Sequence, residues 1–135
     1  MKNVQRIIDE RGGLTDLMVH PIRIENQPYM RLVIEYIGTG PRGLPQVSVC
    51  HYGEQNGDLM RDPDMTFEIA PDGRWLPVSF RNDYVGKDEE AIWQNEQGTI
   101  LCRPRLVTEL QSFARTWNKN IGEQGFVQAA KALAV

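Results

Sequence analysis

The segment His51–Glu68 holds the densest group of side chains that could act as acids, bases or ligands. It combines a histidine, an arginine and several carboxylates with an Asn56-Gly57 pair. Such side chains can transfer protons, hold a cation or steer a charged partner. Which chemistry is feasible depends on their spacing and on the elements that carry them.

Specific metal sites need spacings that this segment lacks. An EF-hand loop alternates its early oxygen ligands and ends on a glutamate, and Asp58, Asp62 and Asp64 do not follow that order. A restriction-type nuclease needs an acid-x-Lys pair, and no lysine stands two residues after an acid. Phosphate-binding glycine motifs are absent, and Cys50 and Cys102 lack the spacing of zinc ligands. We therefore assign no catalytic residue, metal or cofactor.

His51 is the candidate residue for proton transfer. A neighbouring Asp62 would favour the protonated imidazole, although the segment shows no evident nucleophile. Cys50 is unsuitable because adjacent strand residues point to opposite faces. A small hydrolase or nuclease-like enzyme, centred on His51 and a nearby carboxylate, is the alternative function. The carboxylates in question are Glu54, Asp58 and Asp62.

The Asn56-Gly57 pair predicts a tight hairpin, because a type I′ turn needs positive φ at both central residues. A hairpin closed at this pair places Tyr52 opposite Arg61. It also places His51 opposite Asp62. Polar side chains therefore collect on both strands beside the turn.

The same ladder, continued without interruption, would put Val49 opposite Asp64. The apolar residues of the two strands would then lie on opposite faces of the sheet. One extra residue near Asp62-Pro63 brings Val49 opposite Met65 instead. We therefore predict a β-bulge there, which suits a proline that cannot donate a ladder hydrogen bond.

Alternating apolar residues and turn signals predict a series of strands from residue 18 to residue 102. Thr66 and Glu68 are expected to face outwards, and His20 to be partly buried in a strand. Trp75 is expected on the face opposite Leu76, Val78 and Phe80, as the most exposed tryptophan. The predicted strands cover 18–24, 30–36, the run beginning at 47, 65–69, 76–80, 91–94 and 99–102.

Helical spacing appears at both ends of the chain. Val4, Ile7 and Ile8 predict a helix over about 2–11 that Gly12-Gly13 terminates. A second helix begins near Pro104, with a break expected over 118–125 and a final helix over 126–133. The stripe of that second helix is Leu106, Leu110, Phe113 and Trp117.

These elements predict an α+β fold in a single domain, 1–135. A mainly antiparallel sheet of five or six strands, within 17–102, would carry the N-terminal helix (1–13) and the C-terminal helices (104–135) on one face. Short turns between the strands favour antiparallel pairing.

Composition limits the classes of partner and the cellular locations that are expected for this protein. A net charge of -3 and a pI near 5.4 argue against a general nucleic-acid binder, which normally has a basic face. No apolar run approaches the roughly 20 residues that cross a bilayer. The N-terminus is too charged for a signal peptide, so a cytoplasmic location is expected. Cys50 and Cys102 are expected to be buried free thiols in a reducing compartment.

The run His-Tyr-Gly-Glu-Gln-Asn-Gly-Asp-Leu-Met-Arg-Asp-Pro-Asp-Met-Thr-Phe-Glu (51–68) resembles the signature of a small domain of unknown function. That domain is encoded on bacterial mobile elements: conjugative plasmids, integrative elements and phages. The resemblance implies a bacterial intracellular protein with an accessory role in transfer, maintenance or evasion of host defence. It transfers no catalytic residue.

The leading functional prediction is a non-enzymatic module that binds a macromolecule, with a protein as the expected partner. Tyr52 and Arg61 would be anchors, because aromatic and arginine side chains dominate many interfaces. A homodimer through an open sheet edge is a second option. Nucleic acid, bound by Arg103, Arg105 and Arg115, is less favoured. The predicted binding residues are His51, Tyr52, Glu54, Asn56, Asp58, Arg61, Asp62 and Trp75.

Overall fold

Six strands in chain order form one antiparallel sheet in the computed structural model, which describes residues 1–132. The strands of this sheet are β1 (Ile22–Asn26), β2 (Tyr29–Thr39), β3 (Pro45–Gln55), β4 (Asp58–Ile69), β5 (Trp75–Asn82) and β6 (Lys87–Glu90). A two-stranded ribbon follows, formed by β7 (Ile92–Gln94) and β8 (Ile100–Cys102). The helices are α1 (Lys2–Glu10), α2 (Gly13–Leu17), α3 (Pro104–Glu123) and α4 (Phe126–Ala132). Leu133, predicted to end the last helix, lies outside the described residues.

The predicted α+β fold is confirmed. Consecutive strands pair because short turns join them, and antiparallel neighbours can be joined by such turns. Asn56 and Gly57 both have positive φ, as the predicted hairpin requires. The sequence patterns did not indicate α2 or β6. Strand β6, Lys87–Glu90, is entirely charged, which suits a sheet edge exposed to solvent.

The core lies on the face of the sheet that the helices cover. Ile34, Val49 and Phe67 come from three neighbouring strands and are fully buried in it. Ile7 of α1 and Ile121 of α3 close the core from the other side. Each large apolar side chain stabilises the fold by about 1.5–3 kcal/mol when it leaves water.

Helix α3 is longer than predicted, because it continues to Glu123 and the break expected over 118–125 is confined to Gln124 and Gly125. Its apolar stripe runs on through Trp117 to Ile121, which is fully buried. Packing therefore outweighs the weak helix propensity of the asparagines in this stretch. Gly125, with a φ of 85°, separates α3 from α4. No helix in residues 1–132 is long and apolar enough to cross a membrane.

The segment before β1 also differs from prediction. A strand was expected from Met18 onwards, but residues 13–17 form α2 and the chain then turns. Leu17 is buried by this helical turn, whereas Met18 is exposed. His20 is exposed as well, so its predicted burial in a strand is wrong.

The predicted β-bulge is present in β4. Tyr52 pairs with Arg61 on the hairpin side of the bulge, and Val49 pairs with Met65 beyond it. His51 therefore faces the Asp62-Pro63 dipeptide instead of a single residue. Because of this extra residue, Val49 and Met65 are both fully buried in the core.

A second bulge, in β5, overturns the prediction for Trp75. The register between β4 and β5 shifts at Val78, so Trp75 and Phe80 reach the same face of the sheet. Trp75 packs edge-on against Phe67, with ring centroids 5.4 Å apart. Phe80 packs against Phe113 of α3 at 5.2 Å. Trp75 is therefore partly buried against the core and is not on an exposed face opposite Phe80.

Glu68 faces away from the helices, but it is fully buried, contrary to the expectation of a solvated side chain. The loop between β2 and β3 folds over it. Arg42 donates to its carboxylate from the backbone N–H (2.9 Å) and from Nε (2.7 Å), and the Leu44 N–H donates at 3.2 Å. A Cβ on Gly40 would lie within 2.4 Å of the Glu68 side chain, so glycine is required for this close approach.

The substitution Arg42→Met should destabilise the fold by about 3 kcal/mol, because it leaves a buried carboxylate without its cation. Chemical denaturation measures this loss, and Arg23→Met, at an exposed position of β1, is the matched control. Adding Glu68→Gln to Arg42→Met should recover part of the stability, since the unpaired charge is removed. Equal losses in Arg42→Met and Arg23→Met would contradict the account.

Candidate functional site

The β3–β4 hairpin divides the predicted site residues between two faces of the sheet. Adjacent strand residues point to opposite faces, so Tyr52 and its partner Arg61 face away from the helices while His51 faces them. The side chain of Asp62 lies beside the bulge and accepts a hydrogen bond from Asn82 Nδ2 at 2.6 Å. The exposed residues at the hairpin tip are Glu54, Asn56 and Asp58.

Arg31, Tyr52 and Arg61 lie side by side on three neighbouring strands, and we call them the tyrosine–arginine row. The Arg31 guanidinium lies over the Tyr52 ring, 5.7 Å from its centroid. Arg61 is held by Asp83, which accepts from its backbone N–H at 2.9 Å and from its Nε at 3.2 Å. Asp83 also accepts from Arg81 Nε at 3.0 Å. The row is therefore ordered by contacts on both sides.

The protonation states of this face follow from these contacts. The Arg61 backbone N–H, together with the Arg81 and Arg61 guanidinium groups, lowers the pKa of Asp83 to about 2. Burial, with the neighbouring Cys50, raises the pKa of Tyr52 to about 12. Burial and the Asp64 carboxylate raise the pKa of Cys50 to about 12 as well. At neutral pH the tyrosine and the thiol are protonated, so neither is an activated nucleophile.

Asp64 forms the next row, between Cys50 and Arg81. Its Oδ1 accepts a hydrogen bond from Ser48 Oγ at 2.7 Å. Burial raises the pKa of Asp64, which outweighs the opposing effects of Ser48 and of the nearby arginines. Both cysteines are free; Cys50 is buried as predicted, but Cys102 is exposed, which corrects the expectation of two buried thiols.

His51 lies inside the core, where the prediction had placed an accessible acid or base. The residue is 6% exposed, and the centroid of its ring lies 5.6 Å from that of Trp117 and 5.3 Å from that of Phe126. Its Nδ1 is 3.0 Å from the Met30 carbonyl oxygen. Burial lowers the pKa of His51 and outweighs the hydrogen bond to the Met30 carbonyl and the charge of Asp62. Asp62 does favour the protonated imidazole, as predicted, but its effect does not decide the protonation state.

The candidate catalytic groups therefore do not converge. His51 faces the helices, Glu54 and Asp58 lie at the exposed tip, and Asp62 binds Asn82. Within residues 1–132, no group of three or more histidine, cysteine or acidic side chains is placed to hold a metal ion. The polar side chains of the hairpin are instead held in place by hydrogen bonds and by a cation–π contact.

Two residues of the site were missed by sequence reasoning. Arg31 lies beside Tyr52 because of the register of β2 against β3, which the local pattern of either strand does not determine. Asp83 lies in the turn after β5, and its contact with Arg61 joins residues 22 apart in the chain. The Asn82-Asp83 pair, of types that favour turns, was the available signal.

Fold and site together define an α+β domain whose sheet has one face covered by helices and a polar, ordered opposite face. The chain belongs to the family described as a domain of unknown function (DUF6908), whose profile matches residues 2–127. Comparisons with curated proteins and with solved structures give no match. The family description states no activity or partner.

The His51 imidazole should titrate below its ordinary value of 6.5. The variant His20→Gln leaves His51 as the sole histidine, so NMR of its ring protons gives an unambiguous midpoint. Because the folded pKa is the lower one, stability is fully present above the unfolded value and falls as the pH drops through 6.5 towards the folded pKa. A midpoint at or above 6.5 would contradict the buried, neutral ring.

Proposed function

We propose that this protein is a non-enzymatic module that binds another protein through the tyrosine–arginine row. The observation that carries the proposal is the ordering of Arg31, Tyr52 and Arg61 on three neighbouring strands. Tyrosine and arginine are the side chains that most often dominate protein interfaces. Side chains already fixed by contacts lose less conformational entropy when a partner binds.

A depression beside the row offers a place for a partner side chain. It has a volume of about 210 Å³ and is lined by Arg31, Tyr52 and Leu59, among others. Leu59 is 57% exposed, so it adds apolar surface next to the charged groups. Burying such surface on association is favourable, and a filled central pocket is typical of interface anchors.

The charges around the row indicate what the partner should present. Arg31 and Arg61 face solvent beside Glu25 and Asp83, so positive and negative groups alternate across the surface. A partner with a mixed, complementary pattern is steered and oriented better than a uniformly charged polymer. This pattern supports a protein partner over nucleic acid.

The other candidate functions have less support. A hydrolase centred on His51 lacks converging groups, because the ring is buried and its acids lie elsewhere. A nucleic-acid site near α3 is weakened by Arg103, which stacks on Trp93 at 4.6 Å, and by Arg105, which pairs with Glu109. A homodimer through β6 would bring two fully charged edges together.

We further propose a cytoplasmic, bacterial setting on a mobile element for this binding module. The support is the resemblance of residues 51–68 to such domains. The same stretch forms the β3–β4 hairpin and supplies Tyr52 and Arg61 to the row. The motif and the proposed surface are therefore carried by one structural element.

Arg31→Ala combined with Tyr52→Ala should weaken partner binding at least tenfold, as loss of interface anchors typically costs about 2 kcal/mol. Affinity capture from the native host with mass spectrometry identifies the partner, and calorimetry with the purified pair gives the affinity. Arg61 is left unchanged because it also holds Asp83 in the turn after β5.

Arg105→Ala is the matched control, since Arg105 is 95% exposed on α3, away from the row. It should leave the affinity unchanged, and both variants should retain a cooperative thermal transition. Equal affinity of the double variant and the control for the partner would refute the proposed surface.

A further inference from the structure

Strand β1 forms one edge of the six-stranded sheet, because only β2 pairs with it. The N–H and C=O groups on its outer side have no backbone partner among residues 1–132. Such an edge is a template on which a further strand can pair. The side chains of β1 indicate which strand suits it.

The backbone of β1 is regular along its length. The register between β1 and β2 shifts after Ile24, where the two steps to Asn26 match the three steps from Leu32 to Tyr29. The extra residue therefore lies in β2 and not in the edge strand. A bulge in an edge strand is one device that blocks further pairing, and β1 does not carry it.

The side chains of β1 alternate between the two faces of the sheet. Ile22 and Ile24 are buried in the core, whereas Arg23 and Glu25 are exposed on the opposite face. Arg23 has no ion pair within residues 1–132, and Glu25 has one long contact, 3.8 Å from Arg31. Both charges are therefore available to a strand that pairs with this edge.

Arg23 and Glu25 stand symmetrically about Ile24, which makes the edge complementary to itself. When two copies of β1 pair antiparallel about a two-fold axis at Ile24, each Arg23 lies opposite the Glu25 of the other copy. A slip by two residues would place Arg23 opposite Arg23, or Glu25 opposite Glu25, which is unfavourable. A slip by one residue would turn the apolar side chains of the two copies to opposite faces. The charges and the apolar pattern therefore select a single register.

The other edge of the sheet lacks this self-complementarity. Strand β6 has the sequence Lys-Asp-Glu-Glu, with one cation and three acids. Two copies of β6 paired about their centre would place Asp88 opposite Glu89, so like charges would meet. Repulsion protects the β6 edge, whereas the charges of the β1 edge attract a second copy.

From these observations we propose that two copies of this protein associate through β1 and join their sheets into one continuous antiparallel sheet. Directly opposite residues of an antiparallel pair point to the same face. The helices of both copies therefore lie on one face, and both tyrosine–arginine rows lie on the other. This association is independent of the proposed protein partner.

The size of the contact sets the strength that is expected. A strand of five residues buries less surface than the roughly 1,600 Å² of a standard interface. The dimer should therefore be reversible, with a dissociation constant on the order of 100 μM.

Sedimentation velocity over about 5–500 μM protein tests the proposal, and the wild-type chain should pass reversibly from monomer to dimer. Arg23→Glu sets carboxylates opposite each other at both ends of the contact, and Glu25→Arg does the same with guanidinium groups. Each should weaken dimerisation at least about tenfold.

Two control variants match these changes of net charge. Arg105→Glu, at an exposed position of α3, matches Arg23→Glu. Glu96→Arg, in the exposed turn of the β7–β8 ribbon, matches Glu25→Arg. Both controls should dimerise like the wild-type chain.

Restoration of the charge pairs tests the register itself. In an equimolar mixture of the two single variants, every contact across the axis joins a carboxylate to a guanidinium group. The mixture should therefore form a heterodimer about as tightly as the wild-type chain dimerises. The double variant Arg23→Glu/Glu25→Arg should likewise dimerise by itself, because its charges are exchanged but remain complementary.

Three results would overturn the proposal. The first is a wild-type chain that stays monomeric at about 500 μM, which would leave the β1 edge to a strand of another protein. The second is dimerisation of either single variant as tightly as the wild-type chain. The third is a mixture of the two single variants that does not associate.

Discussion

The β4 bulge at Asp62-Pro63 is the constraint on which the rest of this structure depends. The Asn56-Gly57 turn sets the register of the hairpin from its tip, and the apolar residues near Val49 set it from the core. These two registers differ by one residue. The bulge reconciles them, because it allows the tip to pair as its turn demands while Val49 and Met65 remain buried.

The bulge also explains why the polar residues of one hairpin have different roles. On the hairpin side, Tyr52 and Arg61 face each other on the open side of the sheet and join the tyrosine–arginine row. At the bulge, His51 faces the helices and packs between Trp117 and Phe126. The same short segment therefore supplies an ordered outer row and an imidazole that is buried among aromatic rings. The two are separated by the thickness of one strand.

Much of the fold could be predicted because local patterns and packing agree. The Asn56-Gly57 pair and the alternation around Val49 were sufficient to predict both the turn and the bulge. At Val78 no disagreement between a turn register and the apolar pattern indicates a bulge, and Trp75 was therefore placed on the wrong face. The extension of α3 to Glu123 depends on the burial of Ile121. That burial is set by contacts with residues distant in sequence, which a local pattern does not reveal.

The site was less predictable for a related reason. Residue types in the hairpin were evident, but their burial was not: His51 and Glu68 are both polar, and both are buried by segments distant in sequence. Glu68 is covered by the loop that carries Arg42, and His51 by α3 and α4. Tertiary packing of this kind leaves no local periodicity in the sequence.

The most direct test of this account is the register of β3 against β4, measured by cross-strand nuclear Overhauser effects in solution. Tyr52 should show contacts with Arg61, and Val49 with Met65, so that the sum of paired residue numbers changes by one across His51. A ladder that keeps the hairpin register throughout, with Val49 opposite Asp64, would contradict the account. The outer row and the buried His51 ring would then lose their common structural origin.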